Sequence, residues 1–170
     1  MKPDGVALEP MEPIHLDGVV ALERQVFSNP WTQIDFQSAL THNNAYCRVV
    51  TFRGKRVGYA VGFWIAKEFH LADFAIHPEW QRQGLGRQTL AKVCQEVAEL
   101  ARVVSLEVRI SNVPAIEMYK QSGFQTMAIR KAYYTNPEED ALVMLKPLEG
   151  RLSDWVLKAI HEMPFSREKT

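Results

Sequence analysis

Residues 73–90 have the types and spacing of a phosphate-binding loop. Residues 74–76 suit a buried strand, and Pro78 ends it because proline has no N–H to give to a sheet. Gly84 and Gly86 lack side chains that would keep an anion away from the backbone. From Leu85 onward apolar residues recur at helical spacing, so the first-turn N–H groups and the positive end of the helix dipole face the space over the glycines. The stretch therefore predicts a strand, a phosphate loop and a helix start.

Two familiar phosphate loops do not fit these residues. A P-loop ends in Gly-Lys-Ser/Thr, whereas Gly86 is followed here by Arg87 and Gln88. A dinucleotide fingerprint needs a third glycine or alanine, and Thr89 occupies that position. The pattern that remains is Gln81-x-x-Gly84-x-Gly86 opening a helix.

Length, charge and composition restrict the class of protein. The chain has 170 residues, 46% of them hydrophobic, which is the size of one domain with a substantial core. Twenty basic residues balance twenty acidic ones, so neither nucleic acid nor an anionic membrane is expected as a partner. No apolar run approaches the roughly 18 residues of a membrane span, and no basic segment followed by an apolar stretch opens the chain. We expect a soluble, cytoplasmic protein.

Cysteine and histidine give no sign of a metal site or a disulfide framework. Cys47 and Cys94 are far apart, and Cys94 falls on the apolar face of a predicted helix. His70 and His77 lie near the strand that precedes the glycines, but no second ligand pattern accompanies them. We therefore expect no metal.

The elements that must position the loop follow from apolar periodicity and turn residues. We predict the following order: an edge strand to about Pro10, helices at 16–27 and 34–40, strands at 46–52, 57–65 and 68–76, a helix to about Ala101, a strand at 103–109, a helix from Asn112 to Gly123, and strands at 126–134 and 141–145. This order predicts an α/β protein with a mixed sheet and helices on both faces. Residues 147–170 follow this unit and carry the pattern of an amphipathic helix. We expect this helix to pack on its own domain, with a partner surface as the alternative.

Several short motifs together resemble the GNAT acetyltransferases, and most closely the RimI-type ribosomal-protein-alanine N-acetyltransferases. The resemblance spans about residues 5 to 146 and rests on these motifs: Asn29-Pro30-Trp31, His77-Pro78-x-x-Gln81-Arg82-Gln83-Gly84-Leu85-Gly86, Leu106-Glu107-Val108-Arg109, Ser111-Asn112, Ala115-Ile116, Tyr119, Gly123-Phe124 and Tyr133-Tyr134. It implies an acetyltransferase domain at 1–146. The sheet would be mostly antiparallel, with six or seven strands, and would be splayed where acetyl-CoA binds.

The resemblance also implies roles for individual residues. Backbone groups of residues 74–76 would hold the acetyl and pantetheine part of acetyl-CoA, residues 82–87 the pyrophosphate, and Asn112 would contact the cofactor further on. Glu107 matches the general base and Tyr119 the general acid. In full, the expected cofactor residues are Phe74, Ala75, Ile76, Arg82, Gln83, Gly84, Leu85, Gly86, Arg87 and Asn112, and the expected substrate groove is lined by Trp31, Tyr133 and Tyr134.

Each role has an ordinary structural alternative. A glutamate in a strand is more often solvated or ion-paired, here with Arg109 or a lysine. Tyr119 falls on the apolar face of a short helix, where an aromatic residue usually belongs to the core. Arg82 and Arg87 could be plain surface charges. The glycines beside them favour a phosphate role.

The chemistry of acetyl transfer bears on the acceptor. An α-amine with a pKa of about 7.8 is about 14% neutral at pH 7, whereas a lysine at about 10.4 is about 0.04% neutral. Deprotonation therefore costs about 1.1 kcal/mol for the first and about 4.6 kcal/mol for the second, which favours an N-terminal amine. We expect acetyl-CoA to donate directly to the N-terminal alanine of a small-subunit ribosomal protein, without an acyl-enzyme. A lysine or small-amine acetyltransferase and a non-catalytic acetyl-CoA-binding module are the alternatives, and the sequence leaves the oligomeric state open.

Overall fold

A seven-stranded sheet organises the computed structural model, which describes residues 5–150. The elements are β1 (Ala7–Pro10), a 3-10 helix (Pro13–His15), α1 (Leu16–Val26), α2 (Gln33–Thr41), β2 (Ala45–Phe52), β3 (Lys55–Ile65), β4 (Glu68–Ile76), a 3-10 helix (Pro78–Trp80), α3 (Leu85–Val97), β5 (Val103–Arg109), α4 (Val113–Gln121), β6 (Gln125–Thr135) and β7 (Glu138–Pro147). The strand order is β1-β2-β3-β4-β5-β7-β6, and only β4 and β5 pair in parallel. The predicted mixed, mostly antiparallel sheet is confirmed, with β1 at an edge as expected.

Helices cover both faces of the sheet, as the sequence predicted. One core cluster takes Leu90 and Val97 of α3 and Ile116 of α4, and a second takes Val19 of α1 and Phe36 of α2. Each helix buries an apolar stripe against the sheet, which is the main source of helix stability in a protein of this size. Two helices therefore lie on each side of the sheet.

Local signals fixed most element boundaries. The β2–β3 hairpin turns at Arg53-Gly54, both with positive φ, and Asn112 caps α4 through a 3.3 Å bond from Ala115 N. The sequence extended α3 to Ala101, which is wrong: the helix ends at Val97. The last turn tightens there, since the Leu100 amide donates to the Val97 carbonyl only three residues back. The predicted tail lies almost wholly outside the described residues.

The sheet opens between its two parallel strands. β4 and β5 pair only from Glu68–Val103 to His70–Ser105. Beyond these pairs, β4 continues to Ile76 alongside β3, and β5 continues to Arg109 alongside β7. The two strands therefore diverge into a V-shaped gap, which is the predicted splay.

Candidate active site

The gap between β4 and β5 brings together most of the residues that the sequence indicated. Phe74, Ala75 and Ile76 form the end of β4, and their backbones pair with β3 on one side only among the described strands. The other edge of this segment faces the gap, where its N–H and C=O groups are available to a ligand. An extended amide-containing chain would suit this edge, since it could pair there as a strand does.

The glycine loop follows at the end of β4 and leads into α3. Arg82 and Gly84 both have positive φ, at 61° and 78°, and the Gln81 side chain donates to the Ile76 carbonyl at 2.8 Å. The helix begins with the bond from Gln88 N to the Gly84 carbonyl at 3.1 Å. Its first-turn amides therefore point away from the helix and toward the loop.

Helix packing beside the loop leaves an open cavity on the α3–α4 side. Gly86 lies so close to α4 that an added Cβ would be 2.6 Å from the Met118 sulfur. Next to this contact is a cavity of about 700 Å³, lined in part by Arg87, Gly123 and Lys146. Arg82, Gln83 and Arg87 are exposed, and Leu85 is buried. The loop thus presents backbone amides and cationic side chains to one open surface.

Glu107 lies on β5 at the gap, with its side chain 10% exposed. Its Oε2 is 3.1 Å from His70 Nε2, and its Oε1 is 3.4 Å from an Arg130 guanidinium nitrogen. The hydrogen bond from His70 is the main cause that lowers the pKa of this carboxyl below its ordinary value, and the charge of Arg130 acts in the same direction. Glu107 is therefore an ionised carboxylate at neutral pH.

Tyr119 is a buried residue of α4 whose ring packs against Phe124 at 5.6 Å between centroids. Burial raises the pKa of its hydroxyl, and the neighbouring Tyr134 and Asp73 raise it further. The phenol therefore keeps its proton at neutral pH. Those two neighbours come from β6 and β4, while the ring belongs to the core.

A buried acidic pair lies behind the gap. Glu23 of α1 and Asp73 of β4 are 1% and 7% exposed, and the Tyr59 hydroxyl lies between them. Tyr59 donates to Glu23, whose other oxygen accepts from Trp31 N at 2.8 Å. Burial, followed by the charge of Glu23, raises the pKa of Asp73 to about 9. Burial also raises the pKa of Glu23.

Arg109 joins the segments that border the predicted substrate groove. Its guanidinium donates to Ser28 Oγ at 3.2 Å, to the Asn136 carbonyl at 3.2 Å and to Glu139 at 3.2 Å, and it stacks over Tyr134 at 4.2 Å. These bonds connect the α1–α2 segment to the β6–β7 turn across the end of β5. Both walls of the groove are therefore fixed by one side chain.

The three aromatic residues of the predicted groove lie on these walls. Trp31 is half-buried and packs on Phe36 at 5.3 Å. Tyr133 is 45% exposed, and its ring is 5.0 Å from the half-buried ring of Tyr134. Their positions permit contact with a bound peptide.

Within residues 5–150, no group of three or more potential ligand side chains is placed to hold a metal ion. None of the helices in that range is both long and apolar enough to cross a bilayer.

Comparison with known proteins decides the family. The model of the Acetyltransferase (GNAT) family matches residues 16–124. The chain belongs to this family. It is 40% identical over 134 residues to a Bacillus subtilis protein provisionally assigned as a ribosomal protein bS18-alanine N-acetyltransferase, covering 76% of this chain and 87% of that one.

Solved structures agree with the family assignment. The crystal structure of the ribosomal-protein-S18-alanine N-acetyltransferase from Escherichia coli has a TM-score of 0.77 and 30% identity, covering 86% of this chain and 96% of that chain. Arabidopsis thaliana NAA60 in complex with acetyl-CoA has a TM-score of 0.77 at 15% identity, covering 85% and 99%, which shows a shared fold. The predicted GNAT identity and the resemblance to RimI-type enzymes are confirmed.

Several residues of this site were not indicated by the sequence. His70 was considered only as a metal ligand, and neither Arg130 nor Arg109 was assigned to the site. Glu23 and Asp73 did leave a signal, because each is a charged residue at a position that the apolar pattern of its element would bury.

Proposed function

We propose that this acetyltransferase transfers the acetyl group of acetyl-CoA to the N-terminal α-amine of a protein, and that the substrate is the N-terminal alanine of a small-subunit ribosomal protein. The relatives from Bacillus subtilis and Escherichia coli carry this activity in their names. The observation that carries the proposal is an ionised carboxylate, Glu107, in the β4–β5 gap beside an exposed aromatic groove. An enzyme with such a substrate would act in the cytoplasm.

The gap and the glycine loop fit acetyl-CoA. The unpaired backbone edge of residues 74–76 would hold the acetyl and pantetheine arm. The amides of residues 85–87 and the side chains of Arg82 and Arg87 would hold the pyrophosphate. Asn112 uses its Oδ1 as a helix cap, which leaves its side-chain N–H groups to contact the cofactor. When bound, acetyl-CoA supplies an acetyl thioester that an amine attacks.

The side chains around the gap fit the proton transfers that this reaction needs. Glu107 would take the proton of the attacking amine, directly or through a water molecule. Tyr119 carries a proton at neutral pH, as an ordinary phenol does, and would donate it to the departing thiolate. Neither cysteine is positioned as an acetyl carrier, since Cys94 is buried in the α3 core and Cys47 lies on β2. These features support direct attack.

An intact-mass assay with acetyl-CoA and three peptides tests the proposal. One peptide has a free N-terminal alanine, the second is blocked at its N-terminus, and the third is blocked and contains lysine. We expect acetylation of the first alone. Acetylation of the blocked lysine peptide alone would refute the N-terminal assignment and favour the lysine alternative, which the relatives do not favour.

Two variants test the roles of the proposed base and acid. Glu107→Gln and Tyr119→Phe should each lower kcat about 100-fold, the lower range for loss of a general acid or base, while acetyl-CoA still raises Tm. Tyr46→Phe, at another buried tyrosine whose hydroxyl binds Glu96 at 2.8 Å, is the matched control and should retain activity. Full turnover by both variants would contradict the assignment. Absence of turnover by the wild type, with intact cofactor binding, would favour a non-catalytic module.

A further inference from the structure

A line of hydrogen bonds runs along the floor of the gap and ends at Glu107. Ser105 Oγ donates to Glu68, and His70 Nδ1 lies 2.9 Å from the same Ser105 oxygen. His70 Nε2 then lies 3.1 Å from Glu107 Oε2. Glu68, His70 and Ser105 come from the paired ends of β4 and β5, where His70 is opposite Ser105 in the register, and Glu107 lies just beyond this pairing on β5. The backbone therefore fixes their order.

The carboxylates at the two ends of this line determine where its protons lie. A carboxylate only accepts, so the single hydroxyl proton of Ser105 is used on Glu68. Glu107 is also a carboxylate, so His70 Nε2 must carry a proton in order to bind Oε2. The line of bonds therefore presents an imidazole N–H to Glu107.

We propose that His70 is the positioning residue of Glu107: Glu68 and Ser105 hold its ring so that its Nε2 N–H binds Oε2, while Oε1, which contacts the exposed end of Arg130, is the oxygen that receives the proton of the acceptor amine. The catalytic part of this inference rests on the proposed function. The contact between His70 and Glu107 does not, because it is present in the enzyme without substrate. A charge-assisted bond of this kind orients a carboxylate more firmly than water does. It also weakens Glu107 as a base.

Other charged and titratable groups face this pair. Glu68 lies on β4 with His70, while Arg130, Tyr133 and Tyr134 approach Glu107 from β6. Arg130 is 56% exposed, so solvent screens it. Arg130→Gln is therefore a matched comparison that removes a cation from the same carboxylate at a more solvated position.

The first experiment follows the Glu107 carboxyl by NMR in the substrate-free enzyme, with 13C-labelled glutamate assigned by Glu107→Gln. We expect His70→Ala to move its titration to higher pH, because this variant loses the hydrogen bond that is the main cause of the lowered pKa of Glu107, and we expect His70→Gln and Arg130→Gln to move it less. An unchanged titration in both His70 variants would overturn the inference. If the titration moves but no peptide is acetylated, the proposed function fails and the positioning role stands.

The second experiment tests the positioning role by kinetics. The acid limb of kcat/KM should move to higher pH in His70→Ala, which loses the hydrogen bond that lowers the pKa of Glu107, and less in His70→Gln. His70→Ala should lower kcat about tenfold, part of the usual contribution of a general base, and His70→Gln should restore part of it, since an amide N–H can still donate to Glu107. His42→Gln, at a histidine that packs on Phe63 away from the gap, should match the wild type. Equal kcat values and acid limbs in all four proteins would refute a positioning role. Thermal unfolding identifies any variant that does not fold, and the other His70 variant then decides.

Discussion

Replacement of Asp73 by asparagine should change how stability depends on pH. Asp73 Oδ2 is buried and has no hydrogen-bond partner within the described part of the chain, and Oδ1 lies 3.4 Å from the Tyr59 hydroxyl. Burial raises the pKa of this carboxyl from 3.8 to about 9, so the folded protein retains its proton at neutral pH. Asparagine is close to the shape of the protonated acid and has no proton to lose in the neutral range.

The size of the effect follows from linkage between folding and protonation. Between pH 3.8 and about 9 the folded state binds this proton and the unfolded state does not, so the stability of the wild type falls as the pH rises. Each pH unit in this window costs about 1.4 kcal/mol, or about 4 kcal/mol between pH 5 and pH 8. The asparagine side chain of the variant has no proton to lose in this range. The raised pKa of Glu23 acts in the same direction in both proteins, so its effect largely cancels.

Urea unfolding at pH 5, 6, 7 and 8 measures this difference. The free energy of unfolding of Asp73→Asn minus that of the wild type should rise by about 4 kcal/mol across the range. Asp17→Asn, at an exposed carboxyl on the same helix as Glu23, controls for the loss of one acidic residue. A difference that stays constant within about 1 kcal/mol would refute the reasoning, because Asp73 would then be ionised in the folded protein.

Three further changes give distinct expected results. Gly84→Ala should lower stability by about 1 kcal/mol, because φ is +78°, and the cost should be no larger because no atom lies within 4 Å of the new Cβ. It should also weaken the protection by acetyl-CoA in a thermal-shift assay, and an unchanged Tm with and without acetyl-CoA would contradict this. Gly58→Ala should cost more, at least about 2 kcal/mol in urea unfolding, because its Cβ would lie 2.3 Å from the Ala75 carbonyl oxygen and backbone must move; a cost no greater than that of Gly84→Ala would count against it. Arg109→Lys should raise the KM for peptide severalfold and leave that for acetyl-CoA unchanged, since lysine cannot make the forked bonds that join both walls of the groove; equal changes in both constants would show that the groove is not its main role.

Prediction from the sequence succeeded where one short segment carries the whole signal. The alternation of apolar and polar residues gave β5 its observed bounds of Val103–Arg109. The two glycines after Pro78 marked the start of α3, and Asn112 and Gly123 marked the ends of α4. The predicted end of α3 at about Ala101 failed for a physical reason. Ala101 is buried, as a residue on the apolar stripe of a helix would be, but it lies beyond the end of α3 at Val97.

The sequence by itself thus determined the elements, the glycine loop and, through the joint order of its motifs, the acetyltransferase family. Only the tertiary structure decided which side chains act on one another. The contact between His70 and Glu107 depends on the parallel register of β4 and β5, and the pairing of Glu23 with Asp73 depends on how α1 packs on the sheet. Propensity and periodicity are properties of neighbouring residues, whereas these contacts join residues tens of positions apart. Their geometry is set by strand register and helix packing, which no local pattern specifies.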